Sequence, residues 1–319
     1  MAYSRDNMRR VSEQLAARRA EAERTAERNT ERLYARHPEI AELDRRLSGT
    51  GLALVRIALS REGDVKEALA AVRAENEALQ AERAERLAAL GLPADYTAVK
   101  YTCPFCSDTG YTEKGMCACM RRLLTEEGFR SSGLGGLIEK QSFESFSLHF
   151  YQGDDLELVS RALDAAKTFA EDFDTTHASL LFMGGTGLGK THLSTAIARR
   201  AIERGFDVVY DTVQNVIADF EHDRFYRSYG KDEEERGARY LETDLLILDD
   251  LGAEMVNQLT LASLYNIINT RINHGKSTVI STNLTQKGLI ERYDERITSR
   301  LFGEFYPFLF RGKDVRGRR

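Results

Sequence analysis

The chain has 319 residues, enough for about two domains, with 30% charged and 42% hydrophobic residues and a formal net charge of -5. That balance is ordinary for a soluble protein and lacks the global positive charge that advertises a nucleic-acid binder. No run of about 18 apolar residues is present to span a membrane, and the polar stretch Met1–Arg10 has no apolar segment of a secretory signal, so a cytoplasmic location is expected.

Residues 1–98 are rich in alanine, arginine and glutamate and nearly devoid of aromatics, and read as a helical domain that binds a partner. Strong helix formers run from Asp6 to Arg36, and Pro38 then interrupts this helix or begins another. Val65, Leu69, Val72, Asn76 and Leu79 follow alternating steps of four and three, the spacing of a coiled-coil seam. The seam frays at Arg83 and Arg86, so a helical hairpin packing on itself is the favoured alternative. Gly91-Leu92-Pro93 closes the region.

Residues 99–142 form a small cysteine-bearing module and a linker. Cys103-Pro104-Phe105-Cys106 and Cys117-Ala118-Cys119 contain all four cysteines of the chain. Four neighbouring thiolates form a tetrahedral Zn2+ site if the Thr109-Gly110 and Lys114-Gly115 turns fold one pair over the other. So few apolar residues cannot hold the segment by burial, and metal binding would supply the folding energy. An iron–sulfur cluster is an alternative, two cytosolic disulfides a poorer one, and the tight Cys-x-Cys pair leaves room for a different fourth ligand. Lys100, Tyr101, Phe105, Tyr111, Lys114, Arg121 and Arg122 could touch nucleic acid, but a structural, partner-facing role is favoured. Ser131-Ser132-Gly133-Leu134-Gly135-Gly136 is flexible by composition.

From Phe143 onward, short apolar runs alternate with helical stretches, the pattern of an α/β domain with a largely parallel sheet. Strands are expected at 180–183, 208–210, 245–248 and 278–281, and helices at 191–204, 213–226 and 259–274. The run Ser179–Met183, the loop Gly184-Gly185-Thr186-Gly187-Leu188-Gly189-Lys190-Thr191 and a helical stretch to Glu203 supply strand, glycine loop and helix in order. Glycines let the backbone wrap a phosphate chain, with N–H groups and a helix N-terminus turned toward it. Lys190 then reaches the β- and γ-phosphates of a nucleoside triphosphate and Thr191 ligates Mg2+.

Leu245-Leu246-Ile247-Leu248-Asp249-Asp250 is an apolar strand covered on both faces and ending in two carboxylates. These fall in the crevice where α/β sheets bind ligands. Asp249 is expected to hold Mg2+, directly or through water, and Asp250 to orient or activate the attacking water. Ser281-Thr282-Asn283 ends the next strand and brings the Asn283 amide toward a γ-phosphate. Arg296 and Arg300 sit four apart on one helical face, suited to phosphate oxygens in cis or from a neighbouring subunit, or else simply solvated.

This order of parts resembles the AAA+ ATPases, and more narrowly the DnaC/DnaI-type bacterial helicase loaders and their IstB relatives. The residues that carry the resemblance are Gly184–Thr191, Leu245–Gly252, Ser281–Leu284 and Arg296–Leu301, with Ser142–Phe146 and Phe310–Arg316 at the flanks. By matching motif positions the resemblance implies Walker A at Lys190 and Thr191, Walker B at Asp249 and Asp250, and sensor 1 at Asn283. Arg296 would be the arginine finger and Arg300 a second phosphate-sensing arginine. The short stretch from Asn283 to Arg319 leaves no room for a helical lid of usual size, an abbreviation shared with the loader and IstB branch.

The resemblance further implies an Mg2+-dependent ATPase acting in replication initiation, with residues 1–98 on a hexameric replicative helicase. Residues 143–319 would be the AAA+ domain, contacting single-stranded DNA under ATP and self-associating. An IstB-like transposition helper is the runner-up, and a phosphoryl-transferring kinase and a non-hydrolysing adaptor are more distant alternatives. The basic residues Arg311, Lys313, Arg316, Arg318 and Arg319 fit DNA contact or a solvated tail equally well.

Overall fold

The structure, a computed structural model, describes residues 3–59, 65–228 and 236–315. The side chain of Val65 and the basic residues Arg316, Arg318 and Arg319 lie outside what is described. The chain divides into two compact units, Ser12–Cys117 on the one hand and Met1–Val11 with Ala118–Arg319 on the other. Among the described residues no helix is long and apolar enough to cross a membrane.

The first unit holds most of α1 (Arg5–Arg36), then α2 (Pro38–Leu59), α3 (Val65–Ala89) and a two-residue-per-strand hairpin, β1 (Tyr111–Thr112) and β2 (Gly115–Met116). Pro38 is the first residue of α2, where its missing N–H would have had no intrahelical partner. Leu33, Ile40 and Leu87 form a small core, with Tyr34, Leu92 and Tyr96 packed around it. The helices α2 and α3 lie against each other as a hairpin. Arg83, where the heptad pattern fails, pairs instead with Asp44 of α2 and donates to Thr97 Oγ1 at 2.7 Å. Asn76 of the same seam donates its amide to Thr50 of α2.

The second unit is a three-layer α/β domain built on a parallel sheet. Its strands are β3 (Ser179–Gly184), β4 (Val208–Thr212), β5 (Leu245–Leu251), β6 (Ser277–Thr282) and β7 (Phe305–Phe310), ordered β4-β5-β6-β3-β7. Every neighbouring pair is parallel. Side chains alternate between faces with the strand period of two. Leu180, Phe182, Leu245 and Ile247 enter one core with α6 (Gly153–Glu171) and α7 (Lys190–Glu203). Leu181, Met183, Leu246 and Leu248 enter the other with α8 (Val213–Ser228), α10 (Gln258–Asn273) and α12 (Glu295–Gly303). Burial on both faces is why these strands read as unbroken apolar runs.

The shorter helices are α4 (Ala118–Ser131), α5 (Leu137–Lys140), α9 (Ala238–Glu242) and α11 (Gln286–Arg292). After β6 come only α11, α12 and β7, with no further helix among the described residues. In the stretch 131–136, expected to be flexible, Ser131, Gly133, Gly135 and Gly136 are exposed while the other two residues pack inward. Ser132 and Leu134 are buried, and the Ser132 carbonyl accepts the Tyr210 amide at 2.7 Å. Its small residues allow close approach to the edge of the sheet.

At the far end of the sheet from its ligand-binding edge, Arg271 is fully buried. Its guanidinium donates to the carbonyls of Tyr240, Thr243 and Ser277 at 3.0, 3.0 and 2.6 Å and to Thr278 Oγ1 at 2.9 Å. This ring of acceptors ties α9 and α10 to the start of β6 and repays the desolvation of the cation. Burial nevertheless pulls its pKa down to about 9.

Candidate active site

The loop after β3 turns into α7 through Gly189, which precedes the first helical residue with φ +85. A side chain there would be strained, and its Cβ would come within 2.8 Å of Phe146 and 3.0 Å of the Tyr151 hydroxyl. Those two aromatics close the loop from outside. Tyr151 donates its hydroxyl to the Leu188 carbonyl at 3.0 Å, and burial pushes its pKa up to about 12, so it stays a donor. His192, in the first turn of α7, sits edge-on to Phe146 and bonds the Ser142 carbonyl at 2.9 Å. The Ser142–Phe146 lead-in is thereby fastened to the helix that carries Lys190.

Lys190 is buried to 5% exposure. Its Nζ donates to the carbonyls of Gly184 and Gly185 at 2.6 and 2.7 Å and to Asn283 Oδ1 at 2.8 Å. The Asn283 amide nitrogen in turn donates to Asp250 Oδ1 at 3.2 Å. Lysine, asparagine and carboxylate thus form one hydrogen-bonded line across the ends of β3, β5 and β6. Thr186–Thr191, Asp250 and Asn283 line a single cavity of about 330 Å3, together with Phe146, Tyr151 and Val315.

Strand β5 is irregular at its two acidic residues. Its pairing with β6 shifts register between Leu248 and Leu251, and Asp250 adopts φ +56, a conformation costly for a residue with a Cβ. The bulge leaves Asp249 buried and turns Asp250 out into the cavity. Three hydroxyls converge on Asp249. Thr191 donates to Oδ2 at 3.1 Å, Tyr210 to the same oxygen at 2.5 Å, and Ser281 to Oδ1. Burial first, then the Asp249 charge, push the Tyr210 phenol far up, so it is a permanent donor. The buried Asp249 carboxylate and the Thr191 hydroxyl beside it are a hard oxygen donor set that fits a divalent cation such as Mg2+.

The structure does not bring Arg296 and Arg300 to this cavity. Both stack on Tyr265 of α10, at 5.1 and 4.6 Å from the ring centroid. Arg296 is held by Asp294 at 2.9 Å, and Arg300 donates to Asn269 Oδ1 at 2.9 Å and to the Tyr265 hydroxyl at 3.0 Å. Reasoning from the sequence missed Tyr210, Tyr151 and Ser281. A tyrosine within a strand and a serine at its end are ordinary sheet residues, and only the three-dimensional pairing marks them.

The Sγ atoms of Cys103, Cys106, Cys117 and Cys119 lie within 4.8 Å of one another, and none forms a disulfide. Cys103 and Cys117 are 3.8 Å apart. Thiolates bound to one tetrahedral Zn2+ at about 2.3 Å would stand about 3.8 Å apart, whereas a disulfide needs about 2.05 Å. The first knuckle is shaped by buried Asp108, whose carboxylate accepts the Thr102 and Cys103 amides at 2.8 and 2.9 Å. The thiol set therefore fits zinc.

The replicative helicase loader DnaC of Escherichia coli (strain K12) is 26% identical over 181 residues, covering 57% of this chain and 71% of that protein. The uncharacterized protein YdaV of the same strain is 29% identical over 185 residues, covering 57% and 69%. Among solved structures, the crystal structure of the DnaC helicase loader aligns with TM-score 0.47 and 23% identity over 55% of this chain and 98% of that one. The crystal structure of DnaI aligns with TM-score 0.47 and 21% identity over 58% and 95%. A family model described as IstB-like ATP binding protein matches residues 121–300, a span that takes in the glycine loop, Asp249, Asp250, Asn283, Arg296 and Arg300. More than half of the chain lies within that match, and the protein belongs to the IstB-like ATP-binding protein family.

Proposed function

We propose that the protein is a Mg2+-dependent ATPase that loads a hexameric replicative helicase, contacting single-stranded DNA in its ATP-bound state. The observation that carries the catalytic part is the continuous line Lys190–Asn283–Asp250 along one cavity, with Thr191 and Asp249 beside it. ATP would bind with its phosphates against the amides of Gly184–Thr191, and Lys190 would exchange its loop carbonyls for β- and γ-phosphate oxygens. Thr191 and Asp249 would hold Mg2+, which neutralises charge developing on the phosphates. Asp250, turned into the cavity by the bulge, would orient the attacking water and accept its proton. Asn283 bridges Lys190 and Asp250, and would register loss of the γ-phosphate through both. Arg296 and Arg300 lie away from their own cavity, which supports their acting on the site of a neighbouring chain in an ATP-dependent assembly. Arg296 is then the finger and Arg300, more firmly held, the second phosphate-sensing arginine.

The loader assignment draws on the likeness to DnaC, itself a replicative helicase loader. In this reading residues 1–98 bind the helicase and residues 143–319 hydrolyse ATP in the cytoplasm. Residues 99–142 carry zinc on Cys103, Cys106, Cys117 and Cys119. The zinc would brace a segment too poor in apolar residues to fold alone. The resemblance to IstB offers a second reading, an ATPase assisting DNA transposition.

Two measurements separate these readings. ATP turnover is expected to change on adding single-stranded DNA. Phosphate delivered to a small acceptor in place of water would instead make the protein a kinase. The full chain used as bait is expected to retain a hexameric replicative helicase; retention of a transposase without helicase would establish the transposition reading.

A further inference from the structure

Tyr210 sits on β4, at the edge of the sheet, with three strands between it and β7. The register places it opposite Ile247, so Asp249 is its diagonal neighbour two residues further along β5. A long aromatic side chain spans that diagonal, and the phenol bonds Asp249 Oδ2 at 2.5 Å. The main chain of the same residue is gripped from the other side. Its amide donates to the Ser132 carbonyl at 2.7 Å. Its carbonyl oxygen lies so near Gly133, which has φ +83, that a Cβ there would stand 2.4 Å away. One residue therefore joins the turn that follows α4 to the carboxylate argued above to hold the cation.

The chemistry at Asp249 explains why that joint matters. Oδ2 receives both the Thr191 and the Tyr210 hydroxyls. A cation at Thr191 would take up that hydroxyl's oxygen, leaving Tyr210 as the hydroxyl that holds Oδ2 while Ser281 holds Oδ1. We infer that Tyr210 is a positioning residue that orients Asp249 for the divalent cation, and that the Ser132–Gly133 turn sets where Tyr210 stands. Partners of this kind change metal affinity or activity by about 10–100-fold when removed. This inference rests on the Mg2+-ATPase reading of the same site.

The test is calorimetric ATP binding by the full chain, with Mg2+ and with EDTA, alongside the Mg2+ dependence of turnover. Tyr210→Phe removes one oxygen and keeps the ring. It is expected to raise half-saturating Mg2+ by about 10-fold or more, to weaken Mg2+-ATP binding, and to leave metal-free ATP binding unchanged. Gly133→Ala, which must displace the Tyr210 carbonyl, is expected to shift Mg2+ dependence the same way. Its shift is expected to vanish in the Tyr210→Phe background, since contacts acting through one residue are not additive.

An unchanged Mg2+ dependence in Tyr210→Phe overturns the positioning role. A Gly133→Ala shift that adds in full to that of Tyr210→Phe overturns the link to the turn. Should Gly133→Ala not fold, Tyr210→Phe alone decides the positioning role. Failure of the unaltered protein to bind ATP in either buffer would instead overturn the ATPase reading itself.

Discussion

At Asp250 a single backbone torsion divides the labour of two adjacent carboxylates. In a regular strand Asp249 and Asp250 would point to opposite faces, and one would be lost to the hydrophobic core. The left-handed conformation at the bulge turns Asp250 into the cavity and leaves Asp249 under the hydroxyls of Thr191, Tyr210 and Ser281. Two expectations follow from the roles proposed for the cavity. Lys190→Ala removes the cation that faces the phosphates and is expected to abolish measurable ATP binding in a fluorescent-nucleotide titration. Asp250→Ala is expected to keep binding within a few-fold and to lower turnover by about 100–1000-fold in a phosphate-release assay. Normal hydrolysis by Asp250→Ala would remove that residue from the mechanism. The cysteines make a third case. Cys106→Ser leaves three thiolates, and the zinc content by atomic emission is expected to fall from about one per chain toward zero.

Among the elements, short apolar runs were legible, including Val208–Tyr210 in the edge strand β4. The strands β3, β5 and β6 lie inside the sheet with both faces covered, so their sequences are unbroken apolar runs and each is found within two or three residues of its observed ends. The edge strand β7 is half-exposed and contains Pro307, a residue tolerated at a sheet edge but unlike strand interior, and the pattern did not mark it. Nor did it mark α6, whose alanines and charges look like surface helix until Val159, Ala162 and Ala166 are seen facing α7. The phosphate loop and the Asp-Asp pair were legible because their chemistry demands fixed residues at fixed spacing. Tyr210 was not, because its partner is distant in sequence and its residue type is unremarkable in a strand.

Arg271 makes a similar point about stability. Truncation to Ala would strand the carbonyls of Tyr240, Thr243 and Ser277 in the interior and leave a cavity. The expected cost is about 3–5 kcal/mol, read as a lowered midpoint in chemical denaturation. Arg271→Lys is expected to recover only part of it, since one ammonium cannot reach the same spread of acceptors.

For the molecule as a whole, the arginines decide whether one chain suffices. Arg296 and Arg300 are stacked on Tyr265 and held by Asp294 and Asn269, away from the cavity of their own chain. If they serve a neighbour, Arg296→Ala and Asp250→Ala are each inactive alone, yet a mixture of the two restores part of the turnover. Each mixed assembly then contains intact cavities facing intact arginines. A mixture no more active than its components would confine the arginines to a structural role.

The strand β7 and the residues just beyond it complete the nucleotide cavity. Phe310 packs its carbonyl against Gly184, Val315 donates its amide to the Gly187 carbonyl at 3.0 Å, and Asp314 abuts Gly187. During translation Lys190 leaves the ribosome long before these residues do. A nascent chain would therefore carry its glycine loop and acidic pair without a complete pocket, and would gain affinity once β7 is threaded beside β3.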